Sequence, residues 1–297
     1  MDRPTAQINF TNGFGNNLFQ YIFGRLLAMR HKCNLSCNFP SEDYYGKEAL
    51  IALGITPEQH PINENFPTIN VNEPINNRYD FYLWENYENN NFILNEYFED
   101  FRLYDLNIGM RSKIKSWFVK QPVTNTSDLV FHLRLGDRLI MKSQYEPGMF
   151  LKPEEYIKAI SKFKFDKLYI VTDLKEWKPV TEKDIKDMTF HRTVPPHEWV
   201  DPKVAADYLN DLISALSVFN PIIVNGGTAG VAEDFNFIRS FDNIMFQHST
   251  FSWWAATLSD ASKVGVYKPW RPAKGSGNKN LGRTDYSGWF GWGGDEK

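Results

Sequence analysis

The chain has very little cysteine: its 297 residues hold two, Cys33 and Cys37, in the stretch KCNLSCNF. Only His31 lies nearby and no second cluster of ligating residues follows, so the pair does not make a zinc site. Strand alternation instead puts Cys33, Leu35 and Cys37 on one buried face. No window approaches the roughly 18 uninterrupted apolar residues of a membrane span. The opening MDRPTAQINF lacks the apolar centre of a secretory signal. Both absences predict a soluble, cytoplasmic protein, and they remove the weight of the glycosylation sequons at Asn9, Asn34 and Asn125. Charge of one sign is also scarce, with a net −3. Bulk attraction to nucleic acid or to an anionic membrane is excluded, and any anion site must be local.

What is present argues for a folded α/β protein. Hydrophobic residues make up 42% and aromatic residues 15% of the chain, and the length suits one large domain or two of about 150 residues. Gln7–Thr11 reads as a strand, NGFGNN (12–17) as a turn, the next fifteen residues as an amphipathic helix, and Cys33–Phe39 as a strand. That order is a βαβ unit, hence a parallel sheet. Residues 56–95 are rich in Asn, Pro and Glu without a clear period, and YENNNF reads as a surface loop. Ile108–Val119 has a helical pattern. The polar QPVTNTSD (121–128) is the expected boundary, dividing the chain into 1–125 and 126–297. From Leu129 strands and helices alternate again, with strands at 129–135, 167–173, 222–225, 243–247 and 263–267. The tail beyond Lys268 shows no period; it is expected to cover the sheet or to meet a ligand. Two parallel α/β halves suggest twin nucleotide-binding folds facing across a cleft.

Four stretches fall where strands end, the edge at which open α/β sheets bind ligands: NGFGNN, HLRLGD, VTDLKEW and HSTFSWW. The first is neither a full GxGxxG nor a Walker loop, but its glycines and the following helix start suit an anion. In VFHLRLGDR, period two puts His132 and Arg134 on one strand face and Phe131, Leu133 and Leu135 on the other. A strand-end guanidinium suits phosphate oxygens, and its partner is expected to be a bound diphosphate. The competing mate is Asp137, which could also brace the turn or pair with Arg138. In HSTFSWW, Ser249, Thr250 and Ser252 gather hydroxyls and N–H groups at a helix start, either as a ligand site or as an ordinary N-cap. No Asp-x-Asp pair occurs, which points to a metal-free site.

Together these stretches resemble the α-1,2-fucosyltransferases, glycosyltransferase family 11. NGFGNNLFQYIFGRLLA is similar to that family's GGxGNQLFQYAFGRALA, and HLRLGD to the HxRxGD shared with α-1,6- and protein O-fucosyltransferases. NEYFEDF is similar to YFQSEKYF, IVTDLKEW to FSDDxxW, and HSTFSWWAATL to NSSFSWWAAWL. The matches keep the family's order from residue 8 to about 270. The resemblance implies a GT-B fold and an inverting, metal-independent transfer of L-fucose from GDP-L-fucose to a glycan hydroxyl, the 2-OH of a galactose-like sugar. It also implies no cofactor, an acceptor side in 1–125 and a donor side in 126–297. Arg134 would hold the diphosphate, and Ser249, Thr250, Phe251 and Ser252 would line the phosphate and fucose pocket. Gly15, Asn16 and Asn17 of the glycine loop and Asp173 would reach the donor. Asp234 would read guanine, or else cap the helix DFNFIRS.

The chain departs from the pattern at Asn12 (a family glycine), Asn17 (glutamine), Leu135 (often arginine) and His248 (asparagine), and residues 178–233 exceed the family spacing. His132, Asp137, Asp173, Asp80 and Glu96 are all candidates for a general base. The rival readings are a transferase using another GDP-sugar or acceptor, and a sugar-nucleotide or glycan-binding module without turnover.

Overall fold

The computed structural model describes residues 2–75, 79–99, 104, 108–145, 150–188, 194–225, 230–247, 249–267 and 289–292. His248 and 268–288 of the aromatic tail lie outside them. The chain divides into two compact units, Met1–Lys120 and a second that begins at Gln121. Each carries one parallel sheet, so the protein is α/β. Among the described residues no helix is long and apolar enough to cross a membrane.

The first unit runs β1 (Thr5–Asn9), α1 (Phe14–His31), β2 (Asn34–Asn38), α2 (Tyr45–Ala52), β3 (Thr68–Val71), α3 (Phe81–Trp84), β4 (Asn91–Leu94) and α4 (Ile108–Lys115). Its four strands lie in the order β2-β1-β4-β3, and every pairing is parallel. Helix α1 packs so closely on β1 that a Cβ at Gly24 would sit 2.5 Å from Ile8 Cδ1. It stops at Lys32, whose left-handed backbone (φ 58°) returns its N–H to Ala28 O.

Residues 56–95, which showed no period, supply β3 and the interior strand β4. For β4 the reason is burial, which replaces alternation with a short apolar run, whereas β3 is a largely exposed edge strand of four residues, too short to show a period. Asn91 in YENNNF is therefore not on a surface loop: it is fully buried. Its side chain accepts from Thr5 N at 2.8 Å and donates to the carbonyls of Asn63 and Phe66.

The second unit runs β5 (Asn125–Leu133), α5 (Pro153–Ile160), β6 (Leu168–Thr172), α6 (Glu182–Asp187), α7 (Pro202–Leu216), β7 (Ile222–Asn225), α8 (Val231–Arg239), β8 (Phe241–Phe246), α9 (Thr250–Leu258), β9 (Lys263–Tyr267) and β10 (Trp289–Trp292). The order is β10-β9-β8-β5-β6-β7, again parallel throughout. Strand β5 begins inside the stretch read as a linker. Asn125 pairs with Phe241, and the register shifts before Leu129, so a polar exposed margin precedes the buried strand. The tail also adds β10 beside β9, with Trp292 buried in the core. The long 178–233 segment holds α6, α7 and β7.

Leu129, Phe131, Leu133 and Leu135 share one core with Tyr156 and Ile160 of α5 and with Leu209, Leu212 and Leu216 of α7. The alternate residue His132 meets α9. The strand's period-two pattern thus separates an apolar face from a chemical one.

Candidate functional site

Strands β5 and β8 are neighbours, and the chain leaves both at the same sheet edge. His132, at the end of β5, is 8% exposed, and its Nδ1 lies 2.5 Å from Ser252 Oγ in the first turn of α9. Its ring also packs on Phe251, 5.4 Å between centroids, and Phe251 meets Phe235 of α8 edge-on at 5.3 Å. Asp234 is the residue before Phe235. One chain of contacts therefore ties the ends of β5 and the starts of α8 and α9 into a single constellation.

Its electrostatics are set by burial and by two guanidiniums. Burial first, then Arg134 and Arg138, hold the His132 pKa down to about 3, so the ring is neutral at pH 7 and one partner of the Ser252 contact donates to the other. Asp234 moves the opposite way. Burial and neighbouring Glu233 raise its carboxyl to about 6. It does not cap its helix: the N-cap is Gly230, whose N–H donates to Glu233 Oε2 at 2.9 Å. Asp234 lies one residue beyond that bond, half-buried and unused by it.

Arg134 has a partner in the chain after all. Its Nη2 lies 3.4 Å from Asp137 Oδ1, with both side chains more than a third exposed. A single long contact in that setting is worth at most about 1 kcal/mol, and it leaves most of the fork's donors available to an anion. Its backbone is held firmly: Gln247, at the end of β8, donates from Nε2 to Arg134 O and accepts from Tyr156 Oη.

Asp173 braces the turn that follows. Its Oδ1 accepts from Leu135 N at 2.9 Å and Gly136 N at 2.8 Å. Burial raises its pKa, and those amides together with Arg134 oppose the rise. Its Oδ1 is spent on these two amides, so Asp173 braces the turn that carries Arg134. A side chain at Gly136 would collide with it, a Cβ falling 2.0 Å from Asp173 Oδ2.

Ser249 is the N-cap of α9, accepting from Ser252 N at 3.4 Å, and is 2% exposed. Its hydroxyl proton and second lone pair remain. Thr250 and Phe251 occupy the first turn, at the positive end of the helix. Ser252 is fully buried against His132.

In the first unit the glycine loop is similarly divided between fold and surface. Gly15 is buried in the first turn of α1 and Asn16 is half-buried there. Asn17 points inward: fully buried, it donates to Thr11 O and Gln20 Oε1, and its Oδ1 lies 3.3 Å from Tyr44 Oη. Asn12 adopts φ 65°, the left-handed region where glycine is at ease and asparagine is among the tolerated substitutes. This explains the asparagine that stands where the resembled motif has glycine. Asp80 is 3% exposed. Glu96 lies just beyond the end of β4, with its pKa raised by burial.

Sequence reasoning missed Gln247 and Gln20. Both are buried amides that satisfy backbone groups far along the chain; Gln247 directly follows β8, whereas Gln20 lies inside α1 and carries no local signal.

No protein-family profile matches the chain, and no curated protein matches it. Solved structures do. NodZ α-1,6-fucosyltransferase co-crystallized with GDP aligns at 14% identity, covering 91% of this chain and 97% of that one, with a TM-score of 0.49. Fucosyltransferase NodZ from Bradyrhizobium, in selenomethionine form, aligns at 14% identity over 92% and 97%, TM-score 0.47. A mutant of FUT1 from Arabidopsis thaliana in complex with GDP aligns at 10% identity over 92% and 71%, TM-score 0.42. At TM-scores below 0.5 these likenesses assign nothing to individual residues of this chain.

Proposed function

We infer that the chain is a glycosyltransferase that takes L-fucose from GDP-L-fucose, with inversion and without a metal, and passes it to a glycan hydroxyl, the 2-OH of a galactose-like sugar. One observation carries the reading: a partly exposed guanidinium (Arg134), the hydroxyl-capped start of α9 and a half-buried carboxyl of raised pKa (Asp234) belong to one connected constellation at the ligand edge of a parallel sheet. A guanosine diphosphate needs those three groups. Its phosphates need fixed donors and a helix N-terminus. Its guanine edge, which carries N–H donors, needs a carboxylate. The ordered set of motif resemblances supports the same donor.

In fucosyl transfer the bond from the sugar to the diphosphate breaks through an oxocarbenium-like state, and negative charge grows on departing GDP. Arg134 and the first turn of α9 stabilise that charge as preorganised donors. His132, with a pKa near 3, is a poor proton acceptor at neutral pH; its neutral ring instead fixes Ser252 and Phe251. Asp173 positions the Arg134 turn, and neither residue serves as the base.

The test is calorimetry of GDP in the presence of a chelator, followed by GDP release from GDP-fucose, GDP-mannose and GDP-glucose over a glycan panel. Chelator-insensitive GDP binding with release from GDP-fucose alone supports the reading. Release from another GDP-sugar overturns the donor, and GDP binding without release from any sugar overturns the transferase.

A further inference from the structure

The register of the first sheet produces a feature that no single motif covers. Asn9 closes β1 opposite Asn38, the last residue of β2, and Leu94 of β4 pairs with both Ile8 and Val71. Asn95 and Asn72 therefore fall on the same rung, one residue beyond β4 and β3. Four parallel strands thus end in asparagine along one line at the ligand edge. Their side chains bond in one direction: Asn38 Nδ2 donates to Asn9 Oδ1 at 2.8 Å, Asn9 Nδ2 to Asn95 Oδ1 at 2.6 Å, and Asn95 Nδ2 to Asn72 Oδ1 at 2.7 Å. Each donor amide spends one N–H of two; Asn9 Oδ1 also accepts from Gln7 Nε2 at 3.0 Å, so the row keeps an oriented N–H at each step and acceptor capacity at Asn95 and Asn72. Asn38, Asn72 and Asn95 are exposed.

Aromatic rings lie alongside. Phe10 stacks on Phe39 at 4.6 Å, Phe39 meets Tyr44, and Tyr44 meets the exposed Tyr45 at 5.0 Å. The hydroxyls of Tyr44 and Tyr45 both donate to Asn12 O, and Asn12 Nδ2 donates to Tyr97 Oη. No charged side chain takes part in the row among the described residues, and the two carboxyls that follow it directly in sequence, Glu73 after Asn72 and Glu96 after Asn95, would repel an anion.

We propose that this edge is a binding platform for an uncharged saccharide. A sugar ring offers hydroxyls that both donate and accept around its rim and a C–H face above; a row of paired amides answers the rim and flanking aromatic rings answer the face. A phosphate or nucleic acid would need cations here, and among the described residues no group of three or more His, Cys, Asp or Glu side chains could hold a metal ion. That the bound sugar is the acceptor of fucosyl transfer rests on the function proposed above; the sugar binding does not.

The experiment is saturation-transfer NMR on the intact chain with methyl β-galactoside, lactose, methyl α-mannoside and N-acetylglucosamine, with glucuronic acid and sialyllactose as charged controls. The same spectra are taken on the Asn38→Ala/Asn95→Ala variant, and GDP calorimetry and thermal melts on both proteins. Transfer to a neutral sugar, weakened about tenfold in the variant at unchanged melting temperature and GDP affinity, is the expected result. Absence of transfer to every neutral sugar, equal transfer to the charged controls, or undiminished transfer in the variant overturns the platform. GDP binding without sugar transfer sinks the platform and leaves the donor reading intact, whereas sugar transfer without GDP binding supports the platform and sinks the donor reading.

Discussion

Replacing Asp234 with asparagine separates what the candidate site costs the fold from what it contributes to binding. Burial and Glu233 raise this carboxyl from 3.8 to about 6. At about 1.4 kcal/mol per tenfold change in proton affinity, the ionised carboxylate destabilises the folded state by about 3 kcal/mol. Partial exposure screens that to about 1–2 kcal/mol. The sign follows from proton counting. Between pH 3.8 and 6 the folded chain holds a proton that the unfolded chain has released, so the wild type loses stability as pH rises through that window. Asp234→Asn has no such charge. It is expected to melt about 2–8 °C higher at pH 8, at about 2–4 °C per kcal/mol, with the gain vanishing towards pH 4. GDP affinity should move the other way. Asparagine offers one carbonyl where guanine presents two adjacent donors, and loss of the charged acceptor should cost about 2 kcal/mol, roughly thirtyfold. Wild-type GDP affinity should also weaken more steeply below pH 6 than the variant's, since the terminal phosphate protonates in both and only the wild type loses the Asp234 charge as well. Calorimetric melts at pH 4 and pH 8 and GDP titrations across that range measure all of this. A variant less stable at pH 8 would refute the desolvated carboxyl, and unchanged GDP affinity would refute its guanine role.

Arg134→Ala should fold with a melting temperature within a degree or two of wild type, since its ion pair with Asp137 is long and exposed. Its turnover should fall by about two to three decades, and Arg134→Lys should fail similarly because a point charge cannot reproduce the fork; normal kinetics in either would remove Arg134 from the site. Gly136→Ala would place a Cβ 2.0 Å from Asp173 Oδ2 and expel the carboxylate from two backbone N–H groups. A loss of about 3–5 kcal/mol in urea unfolding is expected, and a loss below about 1 kcal/mol would contradict the bracing role. Asn12→Gly should be nearly neutral, whereas Asn12→Val should destabilise by about 1–2 kcal/mol because φ is 65° there. Equal melts for the two variants would show that the left-handed conformation is not retained in solution.

The sequence made the outline of the second unit readable because its strands are apolar runs that end abruptly in polar residues. Phe131, Leu133 and Leu135 sit in the α5–α7 core, and His132 turns to α9, as period two requires. Where burial is two-sided and short, as in NFIL of β4, no period survives. The polar Asn91 beside it then reads as a loop although it is buried and satisfied by backbone groups. The site was legible to a similar depth. Strand ends and helix starts marked where chemistry could occur, but they did not separate side chains that face a ligand from those spent on the turn.

Arg134 and Asp173 both follow apolar strands, and Asn16 and Asn17 are neighbours. Yet Asp173 closes on amides thirty-seven residues away, and Asn17 turns into its own loop. That division depends on pairings made only in the folded chain. The asparagine row depends on them further still. Asn9, Asn38, Asn72 and Asn95 are separated by ordinary sequence, and they become one line only because four parallel strands share a register. A row of that kind is a property of the sheet, and no local pattern around any one of the four residues could have disclosed it.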